Sequence, residues 1–368
     1  MLKYRDALHE LKLNTHFELE ALSAERAGNE TLGFHKIWVI NFKKRWDRAD
    51  AIALQSYMSG IDIDDFPAVG PDMISDSGMP PTSLPAVLTV AELGCYRAHA
   101  NIWAKVIREK LPPVLILESD AAWDINIRHI MSNMNRYFHD FLQQTNSTAV
   151  ASGKFRPNIT HSETLEEGLN KSPLIRYNPD DPWLSDHWDV LSIGQCFETP
   201  NGAPDMTYPD PYVPPYKRYN DYLAGNERVI RTSGGFTCLT AYAVSQTGAA
   251  KLLLRGAIDL SIPVDLMIRQ MIMDGDLVSY SVMPTIMAQW EYAPDIGMQA
   301  RGAQSDIRGG EVQALAKDAS MPGWDKIRKT KSVWVTKWHH PDVAFQNMGL
   351  QVVWEKVLGK AALYQMKQ

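Results

Sequence analysis

Two carboxylates one residue apart, Glu118 and Asp120, stand at the end of an aliphatic run, Val114-Leu115-Ile116-Leu117. Such a pair repels itself unless a cation, a proton or hydrogen bonds offset the like charge. Oxygen ligands of this kind suit magnesium or manganese, ions that in turn hold phosphate oxygens. A strand-end acid that only caps the next helix is an equally economical reading, and the two residues alone leave both open. Asp265 is a second position with chemical potential, in Pro263-Val264-Asp265 ahead of Leu266-Met267-Ile268. The dipole of a helix start favours an ionised carboxylate, so Asp265 is either an N-cap or a general base. A third group, Arg45 and Arg48, follows Lys36-Ile37-Trp38-Val39-Ile40-Asn41 and enters a helix. These guanidinium groups could hold a phosphate or a carboxylate, or lie solvated with Asp47 pairing locally.

The elements around these residues follow from periodicity. Four consecutive aliphatic residues before Glu118 predict a strand covered on both faces, which delivers its acids to the carboxyl end of a sheet. Thr89-Val90-Ala91-Glu92 has the form of a capping box and predicts a helix whose His99 is a satisfied, buried histidine. Ile130, Met134, Tyr137, Phe138 and Phe141 repeat at helical spacing and predict a core helix. Trp188 to Gly194 reads as a strand with Asp189 near its start, and Phe236 to Val244 as another, followed by a helix starting at Ser245 or Thr247. A last strand, Leu277 to Met287, leads to Gln289. Residues 144–186 read as an irregular insertion. The stretch from Thr199 to Tyr219 holds Pro200, Pro204, Pro209, Pro211, Pro214 and Pro215, a density that predicts no regular element.

The chain of 368 residues, with 45% hydrophobic and 22% charged, is long enough for a large core and reads as soluble and globular. Its net charge of -6 and lack of a dense basic run argue against a nucleic-acid surface. No apolar stretch is long enough to span a bilayer, and the opening residues are amphipathic and charged rather than signal-like. Cys95, Cys196 and Cys238 are the three cysteines; they form no paired CxxC motif, and one disulfide plus one thiol is an open arrangement. Four sequons, at Asn29, Asn146, Asn158 and Asn170, permit a secretory location.

Several short stretches fall in one order: TLGFHKIWVINFKKRWDR, LTVAELGCYRAH, LILESDAAWD, WDVLSIGQC, TCLTAYAVSQTGAAKLL, PVDLMI and a terminal SDI at 305–307. In that order the chain resembles glycosyltransferase family 25, the lipopolysaccharide and procollagen galactosyltransferases, and especially its fungal branch. The resemblance implies a GT-A type α/β fold with a mixed, mostly parallel central sheet flanked by helices. The matching stretches span roughly residues 31–307; the chain thus reads as an N-terminal helical extension (1–30), the GT-A domain (31–310) and a helical tail packed on it (311–368), with both extensions outside the resemblance. It implies an inverting, metal-assisted transfer of a hexose, galactose first, from a UDP-sugar donor to a glycan or glycoprotein acceptor. Manganese or magnesium would lie on Asp120 and Glu118, with Gln289 placed beside them by its strand-end position alone, and Asn41, Arg45, Arg48, Glu118 and Asp120 would bind the donor. Asp265 is the first choice of base and Asp189 the second. The family's EDD pattern falls on Glu118-Ser119-Asp120, so Ser119 replaces an acid, and the alternative is a catalytically degenerate nucleotide-sugar or carbohydrate-binding relative. Cys196 and Cys238 both fall on cysteine positions of the fungal pattern, which implies that they pair. An ER or Golgi lumen follows if an anchor lies upstream of this sequence, and the cytoplasm otherwise. A phosphatase that uses Asp120 as nucleophile lacks the expected threonine, since Ala122 stands there.

Overall fold

The computed structural model describes residues 18–84, 87–151, 175, 178–215, 225–293 and 323–365. Helix α1 (18–27) leads to β1 (Ile37–Asn41), α2 (Trp46–Ser59) and β2 (Asp64–Pro67). Then come α3 (Val90–Glu109), β3 (Val114–Glu118), β4 (Ala121–Trp123), α4 (Ile127–Ala151), β5 (Val190–Ser192), β6 (Phe197–Pro209), β7 (Glu227–Thr237) and β8 (Ala241–Val244). The chain continues through α5 (Gln246–Ile258), α6 (Val264–Met273), β9 (Ser279–Met283), β10 (Met287–Tyr292), α7 (Gly323–Thr330), β11 (Trp334–Thr336) and α8 (Gly349–Gln365).

Eight strands form one sheet in the order β2-β1-β3-β8-β5-β9-β7-β6, and β11-β10-β4 form a second. The large sheet is mixed, as expected of a GT-A type α/β fold. Its balance differs from the expected parallel majority: β1–β2, β1–β3 and β5–β9 run parallel, while β3–β8, β8–β5, β9–β7 and β7–β6 run antiparallel. A strand's direction depends on how its connection crosses the sheet, which apolar patterning does not record.

The aliphatic run of β3 sits at the centre with Val114 to Leu117 fully buried. Alternation sends Leu115 and Leu117 to the face covered by Ile130, Met134, Phe138 and Phe141 of α4. Val114 and Ile116 face Trp103 and Val106 of α3 and Leu252 of α5. Each of these aliphatic side chains contributes about 2 kcal/mol through burial, which fixes the height at which Glu118 leaves the sheet. The capping box forms as expected: Thr89 Oγ1 accepts from Glu92 N–H at 3.2 Å, and Glu92 Oε2 accepts from Thr89 N–H at 2.7 Å. Gly94 lies against the backbone after β2, where an added Cβ would stand 2.5 Å from the Val69 carbonyl oxygen. Ser245 rather than Thr247 caps α5, accepting from Gly248 N–H at 3.0 Å.

Four expectations need correction. The proline-rich stretch contains β6, a 13-residue strand. It survives because it is the sheet edge, where a missing N–H is tolerated, and because its register shifts at Glu198/Pro200 and Pro200/Asp205. The insertion expected at 144–186 begins as helix, since α4 runs to Ala151; residues 152–174 and the SDI stretch lie outside the described residues. The single strand expected from Leu277 to Met287 is two strands in different sheets, divided by Pro284. The C-terminal part supplies β11 as well as helices, so it completes the second sheet rather than only packing on the first.

Gly248 meets the Asp189 carbonyl oxygen so closely that a Cβ would stand 2.1 Å from it. Gly248→Ala should therefore destabilise the fold by about 1–3 kcal/mol, the usual cost of overpacking. A thermal melt checks this, and an unchanged melting temperature would show that α5 is not seated on this backbone.

Candidate active site

The carboxyl ends of β1 and β3 lie side by side, with Ile40 opposite Glu118. Asn41 follows at the end of β1, where its side-chain oxygen is buried without a hydrogen-bond partner and stands as an open acceptor. Helix α2 then turns one face inward, burying Arg48, Ala51, Ile52, Gln55 and Ser59. Three of these five residues are polar, so hydrophobic periodicity understates the face. Gln55 Nε2 donates to the Ala121 carbonyl at 3.1 Å, and Trp123 N–H donates to Gln55 Oε1 at 3.3 Å, which fixes the backbone just beyond Asp120.

The two arginines of the basic turn divide. Arg45 forms a two-pronged pair with Asp47, both contacts at 2.9 Å, and follows the local-pairing alternative. Arg48 instead reaches the strand end, donating to Ser119 Oγ at 3.1 Å and to Asp120 Oδ2 at 3.3 Å. Ser119, which stands where the family pattern has an acid, is thus a buried acceptor for Arg48.

Three more side chains close the cluster, and they come from the second sheet and the turn after it. Gln289, opposite Ala121 in β10, donates from Nε2 to Glu118 Oε2 at 2.8 Å. Lys337, one residue beyond β11, donates from Nζ to Asp120 Oδ2 at 2.8 Å and to Gln289 Oε1 at 3.3 Å. His339 Nε2 also lies 2.8 Å from Gln289 Oε1. Gln289 was expected at a strand end; it lies within a strand and reaches the site because β10 pairs with β4. Lys337 and His339 were not anticipated. Nothing in the local pattern Thr336-Lys337-Trp338-His339-His340 distinguishes them from a solvated turn.

Burial would raise the Asp120 carboxyl, but the Arg48 and Lys337 charges and the Lys337 hydrogen bond hold it down to about 2. Glu118 goes the other way: burial first, then the adjacent Asp120 charge, pushes it up to about 7. Asp265, in the first turn of α6, is close enough for its charge to act on Glu118. It is not the N-cap, a position held by Pro263. Its Oδ2 accepts from Cys238 N–H at 3.3 Å and its Oδ1 from Leu266 N–H at 2.9 Å. Cys238 is disulfide-bonded to Cys196, as the resemblance implies, with Cα atoms 5.5 Å apart. His340 Nε2 lies 3.3 Å from Cys196 Sγ, so the bridge sits between the Asp265 loop and the Lys337 segment.

Asp189 does not join this site. It precedes Val190, which pairs with Val244, which pairs in turn with Val114 at the start of β3. It therefore lies at the opposite end of the strand from Glu118, about 17 Å away along the strand direction at 3.3 Å per residue. There it is fully buried, accepting from Lys251 Nζ at 2.6 Å and from Val278 N–H at 2.8 Å. Its sequence position near a strand was correct, but the antiparallel run of β5 against β8 carries it away from the carboxylate pair. His99 is the satisfied core histidine that was expected. Its Nδ1 lies 2.9 Å from the Tyr242 hydroxyl, and burial lowers it to about 3.

The oxygens at this strand end divide between those taken up by hydrogen bonds and those left open. Glu118 Oε2 is bonded to Gln289, Asp120 Oδ2 to Arg48 and Lys337, and Gln289 Oε1 to Lys337 and His339. Asp120 Oδ1 and Glu118 Oε1 carry no hydrogen bond, and an ion of the magnesium type, which binds through one or two carboxylates and fills its shell with water and phosphate oxygens, would be held by these two residues.

The sequence profile of glycosyltransferase family 25 (LPS biosynthesis protein) matches residues 34–268. The chain belongs to glycosyltransferase family 25. The match takes in Arg48, Glu118, Asp120 and Asp265, whereas Gln289, Lys337 and His339 of this family 25 chain lie beyond it. It is similar to a glycosyltransferase 25 family member of Anopheles gambiae, 29% identical over 225 residues, which are 50% of this chain and 38% of that protein. A glycosyltransferase 25 family member of Drosophila melanogaster is 32% identical over 104 residues, 25% of this chain and 17% of that protein. Procollagen galactosyltransferase 2 of Homo sapiens is 29% identical over 108 residues, 26% of this chain and 17% of that protein. The aligned part thus spans well under two thirds of these relatives.

Two measurements separate the site from its scaffold. Lys251→Met should cost about 2–3 kcal/mol, because it strands the buried Asp189 charge while Lys251 itself is partly solvated. Activity per folded molecule should be unchanged; a selective loss of turnover would return Asp189 to the chemistry. Glu118 binds its proton more tightly folded than unfolded, so its contribution to stability falls as pH rises from about 4.5 through about 7. Urea unfolding of Glu118→Gln should lack that decline, and an identical pH profile would place the titration elsewhere.

Proposed function

We propose that this chain is an inverting glycosyltransferase that moves a hexose, galactose in the first instance, from a UDP-sugar to a hydroxyl of a glycan or glycoprotein. The observation that carries this reading is the meeting of Asn41, Arg48, Glu118, Asp120 and Asp265 at one end of the sheet, from four separate elements. An open acceptor, buried carboxylates and a fixed guanidinium suit a ligand with an amide-bearing base, hydroxyls and a diphosphate. The relative named procollagen galactosyltransferase 2 supports galactose as the sugar.

In this reading the donor lies over the ends of β1 and β3. Arg48 faces the diphosphate, and a divalent ion held by Asp120 and Glu118 would supply further positive charge against it. The departing nucleoside diphosphate gains negative charge as the sugar bond breaks, and preorganised positive groups lower that barrier. Asp265 takes the proton of the acceptor hydroxyl as it attacks the anomeric carbon from the opposite side. The Cys238 and Leu266 N–H groups hold the Asp265 carboxylate in place, and removal of such a base costs about 10²- to 10⁴-fold in rate.

A lumenal setting in the ER or Golgi accords with the Cys196–Cys238 bridge, since disulfides persist in oxidising compartments. No described helix is long and apolar enough to cross a membrane.

Incubation with UDP-galactose and a glycan acceptor should release UDP, with the product anomer opposite to the donor by NMR. Asp265→Asn should keep UDP affinity within a few fold and lose at least 100-fold in kcat. UDP binding without release under any condition would favour the degenerate relative, to which Ser119 gives its main support. Loss of UDP binding in Asp265→Asn would remove Asp265 from the role of base.

A further inference from the structure

Trp338 is 81% exposed, although the residues around it in sequence are all anchored. Lys337 Nζ donates to Asp120 Oδ2 at 2.8 Å, His339 Nε2 lies 2.8 Å from Gln289 Oε1, and His340 Nε2 lies 3.3 Å from Cys196 Sγ. The backbone is fixed as well: Lys337 N–H donates to the Gln289 carbonyl at 2.9 Å, and His340 N–H donates to the Lys337 carbonyl at 3.1 Å. An indole gains free energy by leaving water for apolar surface. Here a four-residue turn, tied at both ends, presents it to solvent instead.

Single exposed aromatics are ordinary, and Tyr57, 80% exposed on α2, is one of them. Trp338 differs in where it stands. Its ring lies 5.5 Å from that of His339, centroid to centroid, at an interplanar angle of 85°. A ring nitrogen of His339 lies within 4.8 Å of both sulfurs of the Cys196–Cys238 bridge, and the Cys238 N–H donates to Asp265. Trp338 therefore belongs to the side of the site that carries the proposed base. Asn41 and Arg48, the groups assigned to the nucleotide, come from β1 and α2, and β1 and β8 border β3 on opposite sides. In an inverting transfer the acceptor hydroxyl arrives at the base, away from the departing diphosphate. The surface beside Asp265 and remote from Arg48 is thus the acceptor's. Trp338 also lies outside residues 34–268, so it is a feature of the chain beyond the family match.

We propose that Trp338 binds the acceptor, and that the group it takes is a pyranose ring. One face of a pyranose carries C–H groups whose slight positive charge matches the negative face of an indole. Stacking there buries apolar area and leaves the hydroxyls at the ring edge directed outward, where one of them meets Asp265. A serine or hydroxylysine side chain has no such flat apolar face beside its hydroxyl. The inference rests on the nucleotide-sugar reading above.

Saturation-transfer NMR of the full chain with UDP and the methyl glycosides of galactose, glucose, mannose and N-acetylglucosamine tests the contact without turnover. At least one glycoside should receive saturation on the C–H protons of one ring face. Trp338→Ala should abolish that signal and Tyr57→Ala should keep it. With the same glycoside as acceptor and UDP-galactose as donor, Trp338→Ala should raise the acceptor KM about tenfold, with kcat and the donor KM within about twofold, and Trp338→Phe should recover most of the affinity. No transfer to any glycoside on the wild type, or a signal that survives Trp338→Ala, would overturn the inference. A raised donor KM would do so too, since it places the uracil or the donor sugar on the indole. A hydroxyl-bearing peptide glycosylated equally by wild type and Trp338→Ala, with no glycoside accepted, would make the acceptor a polypeptide and overturn it as well. A glycoside signal that depends on Trp338 without UDP release to any acceptor would overturn the transferase reading and uphold the sugar contact.

Discussion

The arrangement of this site depends on one shared carboxylate. Asp120 is buried at the end of the central strand and survives there ionised because Arg48 and Lys337 both reach it. A buried carboxylate with one partner removed is an expensive species, so each cation constrains the element that carries it. Arg48 fixes the first turn of α2 against β3, and Lys337 fixes the turn after β11 against the same point. The large sheet, the small sheet and the C-terminal segment are therefore registered to one another through a single charge balance.

That balance bears on the replaced acid. An additional carboxylate at position 119 would place three negative charges on three consecutive residues and call for more positive charge. Serine at this position instead accepts a hydrogen bond from the guanidinium that also pairs with Asp120. The substitution is thus part of a consistent electrostatic arrangement rather than a gap in it. Asp265 is held by backbone N–H groups instead of cations, an arrangement that suits the base role proposed for it. The disulfide beside it ties the loop bearing Cys238 to the segment around Cys196 and His340.

Sequence periodicity read the central elements well, because burial on both faces of β3 and on one face of α4 leaves an apolar signature. It failed for β6, where composition suggested an irregular loop but an edge position tolerates proline. It also joined β9 and β10 into one strand, since two apolar strands in different sheets look like one apolar run. The inward face of α2 went unnoticed for a related reason: Arg48, Gln55 and Ser59 are polar, and only their partners reveal that they are buried.

The sequence by itself determined the carboxylates, the helix start bearing Asp265, the paired cysteines through family pattern, and the kind of fold that could bring them together. Each of these is local, written in consecutive residues or in ordered motifs. Only the tertiary structure decided which acids share a site. It carried Asp189 to the far end of the sheet because β5 runs antiparallel to β8, a matter of chain direction rather than composition. It also brought Lys337 to Asp120 across 217 positions of sequence. A lysine in a short polar turn has no distinctive pattern, and its role arises from the pairing of β10 with β4 and β11, which sets its ammonium beside a buried charge.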